Sequence, residues 1–200
     1  MSSLDAKNPK YHRILEAAVK VFARKGFTAA TVSEVAKEAG VADGTIYLYF
    51  KSKDDILVHF FSFKAQQVFD RFRSEVARGP DAVAKLRHLV RVHLSEFQKD
   101  PDMALLYQVE THQGRRAAEE QIRAMSKSYQ DILSEIVEQG QQEGLIRRDL
   151  YVSLVRRFIV GAVEETIGTW LHSGRSYDLA SMADPLVDLF VRGIGTEKRI

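Results

Sequence analysis

The chain has 200 residues, a formal net charge of +2 and no cysteine. This length allows one or two small domains with a sizeable core, and the lack of cysteine excludes a disulfide framework, a thiolate metal site and a cysteine nucleophile. No apolar run is long enough to cross a bilayer and the first residues lack the apolar segment of a signal peptide, so we expect no membrane partner and a cytoplasmic location.

Apolar residues recur at helical spacing along the chain, and no stretch shows the alternation of a half-buried strand. The pattern predicts an all-α protein with about nine helices. In chain order we expect helices at about 11–25, 31–39, 44–50, 53–78 and 81–99, a short helix before a break near 114, and helices at 116–143, 150–172 and 179–192. Asp184 followed by Pro185 predicts an N-cap with proline at the first helical position, so the last helix starts late or kinks there.

The stretch after the first predicted helix is the most informative part of the chain. Thr31 and Glu34 form a Thr-x-x-Glu capping box that starts a helix, and Gly40 ends it. Asp43 is placed to cap a short second helix, and Ser52 to cap the helix that follows. Many proteins use two short helices joined by a glycine-containing turn to place a helix in the DNA major groove. The stretch therefore predicts a helix-turn-helix that reads DNA.

The side chains around the second short helix suit contact with DNA. Hydroxyl and ammonium groups that can meet phosphates and base edges occur at Thr45, Tyr47, Tyr49, Lys51 and Lys53. The opposite, packed side is predicted to consist of Ile46, Leu48 and Phe50. An ordinary helical hairpin inside a core is the alternative. The caps, the turn and a short aromatic helix occur together here, which favours the DNA reader.

The same residues carry a family resemblance. Gly26-Phe27, the run from Thr31 to Ala36, Gly40-Val41, the run from Gly44 to Phe50, and Lys53 resemble the N-terminal domain of TetR-type transcriptional regulators, from about Pro9 to Ala65. The resemblance implies a three-helix domain at 9–69 with its helix-turn-helix at about 32–51. A long fourth helix would join this domain to a C-terminal helical bundle at 70–200, which binds a ligand and forms the dimer.

The resemblance also implies which residues touch DNA, mostly at phosphates. The matching positions are Val32, Ser33, Ala42, Gly44, Thr45, Tyr47, Tyr49 and Lys53. We add Asp43, where the chain departs from the basic or polar residue that is frequent in the family. A carboxylate repels phosphate, so Asp43 either caps the helix or accepts a hydrogen bond from a cytosine amino group.

The last two predicted helices carry wide apolar stripes. The stripes consist of Leu154, Val155, Phe158, Ala162, Val163, Ile167, Trp170 and Leu171, and of Leu186, Leu189, Phe190, Val191 and Ile194. Two such helices predict the seam of a two-fold, four-helix interface, and TetR-type proteins dimerise through their last two long helices. Since an operator with two half-sites needs two readers, we expect a homodimer on double-stranded DNA.

Further motifs are similar to one TetR subgroup, the acyl-CoA-responsive repressors of fatty-acid degradation genes. They are the run from Ala42 to Phe50, Gly161-x3-Glu165-x4-Trp170, and the run from Leu106 to Glu110 followed by Arg115-Arg116. The resemblance implies an apolar tunnel for a long acyl chain with a basic mouth for the coenzyme A end. Candidate tunnel and core residues are Phe69, Leu89, His93, Phe97, Tyr107, Phe158 and Ala162. Candidate phosphate contacts are Arg115, Arg116, Arg123 and Lys127, for which a solvated helix face is the alternative.

Patterns typical of catalytic and metal sites are missing. The six histidines lack metal-ligand spacing, and no Gly-x-Ser-x-Gly elbow or phosphate-binding glycine loop occurs. We therefore expect no enzyme, no metal and no cofactor, but a repressor released from its operator by long-chain acyl-CoA. One alternative is a TetR-type repressor that senses a drug, a flavonoid or another lipid. The other is a nonspecific architectural DNA-binding protein, against which the modest net charge argues.

Overall fold

The computed structural model describes residues 8–113 and 118–195. Within these ranges nine α-helices follow one another, no residue belongs to a β-strand, and one antiparallel bridge pair joins Ile146 to Gly195. The helices are α1 (Pro9–Lys25), α2 (Val32–Ala39), α3 (Asp43–Ile46), α4 (Lys53–Ala77), α5 (Ala82–Lys99), α6 (Pro101–Gln113), α7 (Glu119–Gln142), α8 (Val152–His172) and, after a 3₁₀ turn at Leu179–Met182, α9 (Ala183–Ile194). The predicted all-α fold is confirmed.

The chain divides into two compact units. The first consists of Met1–Ala65 and Asp102–Ala124, and the second of Gln66–Pro101 and Met125–Ile200. Each unit is built from two separate stretches of chain, and α4 and α7 contribute residues to both. The predicted boundary after residue 69 separates DNA binding from ligand binding and dimerisation. This division of function stays a prediction.

Helix α1 supplies much of the core of the first unit and packs against α2. Asn8 accepts a hydrogen bond from the Lys10 amide at 2.9 Å and Pro9 takes the first helical position, so α1 begins at Pro9 rather than at residue 11. Gly26 ends the helix at φ 79° and ψ 145°, a conformation open essentially to glycine. The buried side chains recur at spacings of three and four: Tyr11, Ile14, Leu15, Ala18, Val21 and Phe22.

The predicted signals at the ends of α2 and the start of α4 are confirmed. Thr31 and Glu34 form both hydrogen bonds of the capping box, at 3.3 and 3.1 Å. Gly40 ends α2 in the left-handed conformation at φ 63°. The Ser52 hydroxyl accepts a hydrogen bond from the Asp55 amide at 3.1 Å, as an N-cap does. These contacts fix the turns on either side of α3.

Two predictions for the short second helix are wrong. Asp43 is not a cap, because the helix begins at Asp43 itself, with Ala42 in the cap position and no capping side chain. Leu48 does not lie on the packed side: 79% of its surface is exposed, whereas Ile46 and Phe50 are buried. The Phe50 amide donates a hydrogen bond to the Ile46 carbonyl at 2.9 Å, so one more helical turn follows the end of α3. Positions 46 and 50 therefore lie on the same side of this turn, and position 48 points about 200° away from position 46.

Helix α5 is the element on which much of the second unit packs, since it contacts α8, α9 and the 3₁₀ turn. Its buried side chains are Ala82, Leu86, Leu89, Val90, His93, Leu94 and Phe97. Helix α8 buries Val155, Ile159, Val163, Ile167 and Trp170. The Trp170 indole donates a hydrogen bond to the Tyr177 carbonyl at 2.9 Å, which ties the end of α8 to the following loop.

The predicted N-cap at Asp184 is wrong, although α9 does start late. The 3₁₀ turn runs directly into α9, so Met182, which precedes the helix, has helical rather than extended backbone and gives no side-chain cap. Asp184 instead accepts hydrogen bonds from Arg87 at 2.9 Å and from Arg91 at 2.6 Å. The hydrogen bond from Arg87 has the larger effect, and together with that from Arg91 it holds the pKa of the Asp184 carboxyl below its usual value. Asp184 therefore ties α9 to α5.

Candidate functional site

The stretch from α2 to the turn after α3 forms a surface of mixed polar and apolar residues on the first unit. Ser33, Ala42, Asp43, Gly44 and Tyr47 are exposed on it, and Val32, Thr45 and Tyr49 are half-buried. The Tyr47 side chain is 61% exposed and lies next to the exposed Leu48. Hydroxyl groups, backbone amides and apolar side chains such as that of Leu48 are thus available to phosphates, base edges and thymine methyl groups. We call the surface formed by these nine residues the reading surface: Val32, Ser33, Ala42, Asp43, Gly44, Thr45, Tyr47, Leu48 and Tyr49.

Tyr49 differs from Tyr47 because its hydroxyl is already engaged. The Asn8 side-chain amide donates a hydrogen bond to the Tyr49 hydroxyl at 2.9 Å. Next to it, the Phe50 ring stacks on the Tyr11 ring, with centroids 5.2 Å apart. The start of α1 therefore holds the end of the reading surface in place, and Tyr49 contributes to position as well as to any DNA contact.

Lys53 has a structural role that the sequence did not indicate. Its ammonium group donates to three backbone carbonyls in the loop between α1 and α2, those of Phe27 (2.6 Å), Thr28 (3.1 Å) and Ala30 (2.8 Å). The same nitrogen lies 4.7 Å from the centre of the Phe27 ring. An ammonium group has three protons, and these three bonds use all of them. Lys53 thus fixes this loop to the start of α4, and its contact with a phosphate stays a prediction.

In the second unit, the structure buries four of the predicted ligand-contacting residues. Phe69, Leu89, His93 and Phe97 are all buried, and Ala162 is half-buried. The imidazole of His93 lies among the rings of Tyr129, Phe97 and Phe72, with centroids at 4.8, 4.9 and 5.7 Å. Burial lowers the pKa of His93 to about 4, so the ring is neutral at cellular pH. We call His93 and these three rings the aromatic cluster.

The remaining ligand candidates lie elsewhere. Tyr107 and Arg123 belong to the first unit, where Tyr107 is half-buried and Arg123 is exposed and pairs with Glu119 at 2.5 Å. Lys127 is exposed on α7 in the second unit. Arg115 and Arg116 lie outside the described residues. Contact of these basic groups with a coenzyme A phosphate stays a prediction.

Two family models together span most of the chain. Residues 14–60 match bacterial regulatory proteins of the tetR family, and residues 61–193 match the C-terminal region of YsiA-like protein. The chain belongs to the TetR family. The predicted family is thereby confirmed.

Regulators of the TetR family match the chain over nearly its whole length. The fatty acid metabolism regulator protein of Bacillus subtilis (strain 168) is 39% identical over 94% of this chain and 97% of its own. The structure of the fatty acid degradation regulator FadR from Bacillus halodurans has a TM-score of 0.87 and 36% identity, covering 94% of this chain and 97% of that one. The structure of FadR from Bacillus subtilis in complex with stearoyl-CoA has a TM-score of 0.85 and 38% identity, covering 92% and 99%.

Sequence reasoning missed a network of polar contacts next to the reading surface of this TetR-family protein. Asp55 accepts a hydrogen bond from the Lys51 amide at 2.8 Å, and its other oxygen lies 3.5 Å from His59 Nε2. His59 Nδ1 in turn lies 2.9 Å from the Tyr11 hydroxyl. The network links Lys51, two residues after the reading surface, to α4 and α1. The spacing of four between Asp55 and His59 on one helix was the available signal.

Phe158 is exposed, contrary to its prediction as an inward-facing residue of the tunnel. It is 55% exposed on α8, and its ring lies 5.4 Å from that of Phe190 on α9. The buried positions of α8 include Val155 and Ile159, and Phe158 is turned about 100° from Ile159. Leu154 and Leu189 are also exposed, at 55% and 67%. The exposed apolar surface of this TetR-family protein on α8 and α9 therefore includes Leu154, Phe158 and Leu189, which we call the apolar face.

Membrane-spanning helices and metal clusters do not occur in the described ranges. Within 8–113 and 118–195, no helix combines the length and the apolar character needed to cross a bilayer. In the same ranges, no group of three His, Cys, Asp or Glu side chains could hold a metal ion. The Bacillus subtilis and Bacillus halodurans relatives of this TetR-family chain are regulators by name.

The buried, neutral His93 makes the stability of the second unit depend on pH. Because its folded pKa of about 4 lies below the ordinary value of 6.5, the unfolded chain binds more protons between these values and stability falls as the pH falls. We expect the wild-type protein to lose about 2 kcal/mol more than His93→Phe between pH 7.5 and pH 5. Urea unfolding of both proteins at the two pH values measures this difference. Equal losses would contradict the neutral state.

Proposed function

We propose that the protein is a transcriptional repressor, without enzymatic activity, that acts on DNA in the cytoplasm and controls fatty-acid degradation genes. It binds an inverted-repeat operator as a homodimer, and long-chain acyl-CoA releases it. The single observation that carries the proposal is the near full-length likeness to fatty-acid regulators, including 38% identity and a TM-score of 0.85 to a FadR in complex with stearoyl-CoA. The reading surface and the buried aromatic cluster supply groups suited to DNA and to a hydrocarbon chain.

Release by the ligand is a linkage between two binding equilibria. The acyl-CoA must bind more tightly to a geometry in which the two reading surfaces no longer fit successive major grooves. A tenfold weakening of DNA binding requires about 1.4 kcal/mol of difference in ligand affinity between the two geometries. By reciprocity, operator DNA weakens acyl-CoA binding by the same factor.

A titration of the DNA complex tests the effector. The operator is first selected from a pool of random double-stranded DNA, and the complex is then titrated with acyl-CoAs of increasing chain length, with coenzyme A alone as the control. We expect release by stearoyl-CoA and no release by coenzyme A, because the hydrocarbon chain supplies most of the apolar burial. A complex indifferent to every acyl-CoA, but released by a drug, a flavonoid or another lipid, would transfer the proposal to that ligand class.

The reading surface is tested at Tyr47, which is exposed. Tyr47→Phe removes one hydrogen-bonding group without disturbing the core, since the side chain is 61% exposed. We expect operator binding to weaken by about 1 kcal/mol, roughly fivefold, with acyl-CoA binding and thermal stability unchanged. Fluorescence anisotropy on labelled operator measures the change. Tyr151→Phe is the matched control, because Tyr151 is 80% exposed and lies in the second unit, and it should leave operator binding unchanged.

The apolar face supports the homodimer of this proposal. Leu154, Phe158 and Leu189 are exposed in the protomer, so their apolar surface does not stabilise a monomer. A two-fold interface would bury this surface in both copies. Phe158, which belongs to this face, also contacts Phe190 and so joins α8 to α9. A seam built from the two helices of each protomer is the four-helix arrangement expected for the family.

A further inference from the structure

His93 is the only polar residue on the buried face of α5, whose other buried side chains are all apolar. The side chain is 9% exposed, and its Nδ1 has no hydrogen-bond partner among the described residues. Buried polar atoms are nearly always hydrogen-bonded, because leaving one unpaired in the interior costs free energy. A leucine or phenylalanine would fill the same space without that cost. Packing alone therefore does not account for a histidine here.

The surroundings of His93 favour a hydrogen bond to a neutral group. The nearest ring centroids, those of Tyr129 and Phe97, lie 4.8 and 4.9 Å from the imidazole and keep water away. A hydrogen bond in such surroundings is stronger than the same bond in water. An anion brought into the aromatic cluster would lose its hydration, which is far more costly than burying a neutral carbonyl. The imidazole nitrogen thus suits a neutral oxygen.

A long-chain acyl-CoA offers one neutral oxygen of this kind next to its hydrocarbon chain. Its hydrocarbon chain has no polar atom, and the first one met along the molecule is the thioester carbonyl oxygen, which only accepts hydrogen bonds. We propose that His93 donates a hydrogen bond from Nδ1 to the thioester carbonyl oxygen of the bound acyl-CoA. The proposal rests on the acyl-CoA effector proposed above, and it makes His93 the residue that recognises the thioester.

The proposed bond specifies the protonation of the ring. A neutral imidazole carries one proton, so a donor at Nδ1 leaves Nε2 as an acceptor. The aromatic cluster then receives the hydrocarbon next to the carbonyl, while the imidazole fixes how far the acyl group enters. His93 therefore distinguishes a thioester from a chain of the same length without a carbonyl, and chain length itself is read by the apolar residues.

A thermodynamic cycle between protein and ligand tests the bond. The two ligands are stearoyl-CoA and its octadecyl thioether, in which a methylene replaces the carbonyl. The proteins are the wild type, His93→Phe, which removes the donor, and His93→Asn, whose amide nitrogen lies near the position of Nδ1. Isothermal titration gives the dissociation constants, and thermal unfolding checks that each variant is folded. In addition, isotope-edited infrared spectroscopy of stearoyl-CoA labelled at the carbonyl carbon reports directly on hydrogen bonding to that carbonyl.

We expect the wild type to bind the thioester about tenfold more tightly than the thioether, equivalent to about 1.4 kcal/mol. In His93→Phe the ratio should fall to about one and the carbonyl stretch should return to higher frequency, while His93→Asn should keep part of the preference. A ratio near one in the wild type overturns the proposal without use of any variant, and so does an unchanged ratio in a folded His93→Phe. Failure of the wild type to bind either ligand would instead refute the acyl-CoA effector itself, and the inference with it.

Discussion

Replacing Lys53 by methionine should lower the free energy of unfolding by about 3 kcal/mol, because the ammonium group satisfies three loop carbonyls at once. A hydrogen bond to a charged group contributes about 1.5–3 kcal/mol. The total is smaller than three such bonds, since Thr28 is exposed and water can replace the ammonium at its carbonyl. Methionine has a side chain of similar length, so the loss in free energy of unfolding measures the contribution of the ammonium group. Urea unfolding followed by circular dichroism measures it.

Lys51→Met is the matched control for this prediction. Lys51 lies two positions before Lys53, its side chain is exposed, and only its backbone amide takes part in the network through Asp55. We expect its stability to stay within about 0.5 kcal/mol of the wild type. If Lys53 acted only on phosphate, Lys53→Met would keep its stability and lower the salt dependence of DNA binding by about one unit of slope. That pattern would refute the positioning role.

The features that could be predicted from the sequence are those set by residues a few positions apart. The Thr31 capping box, the left-handed Gly40 and the Ser52 cap each depend on contacts within four residues, so local sequence contains the whole signal. The same holds for the buried faces of α1 and α5, which follow helical spacing. The family resemblance rests on these local motifs, and the family that it indicated is confirmed.

The features that could not be predicted depend on contacts distant in sequence or on exceptions to periodicity. Lys53 meets carbonyls 23 to 26 residues earlier in the chain, and Asp184 meets Arg87 across 97 residues. Neither partner leaves a local signal. Leu48 was misplaced because every second residue was assigned to one side, although a helical turn separates such residues by about 200°. Phe158 was assigned both to the dimer seam and to the tunnel, and its exposure fits the seam.

Replacing Leu189 by glutamate should separate the proposed dimer into monomers. Leu189 is 67% exposed in the protomer and belongs to the apolar face, so a two-fold seam would bury both copies of the new carboxylate without a partner. We expect a loss of about 4 kcal/mol per dimer, which raises the dissociation constant roughly a thousandfold. Size-exclusion chromatography with light scattering at micromolar concentration should show monomers. Operator binding should weaken as well, because a monomer has one helix-turn-helix and binds only one of the two half-sites.

Leu48→Glu is the control with the same chemical change at an exposed leucine. Leu48 is 79% exposed and lies on the first unit, so the variant should remain a dimer while its new charge weakens DNA binding. The two leucines thus separate the two roles of exposed apolar surface in this chain. Loss of DNA binding in both variants, with loss of the dimer only in Leu189→Glu, would place the reader and the seam on different surfaces. A dimer that survives Leu189→Glu would mean that α9 does not form the seam, and the two reading surfaces would then need a different interface to match the spacing of two half-sites.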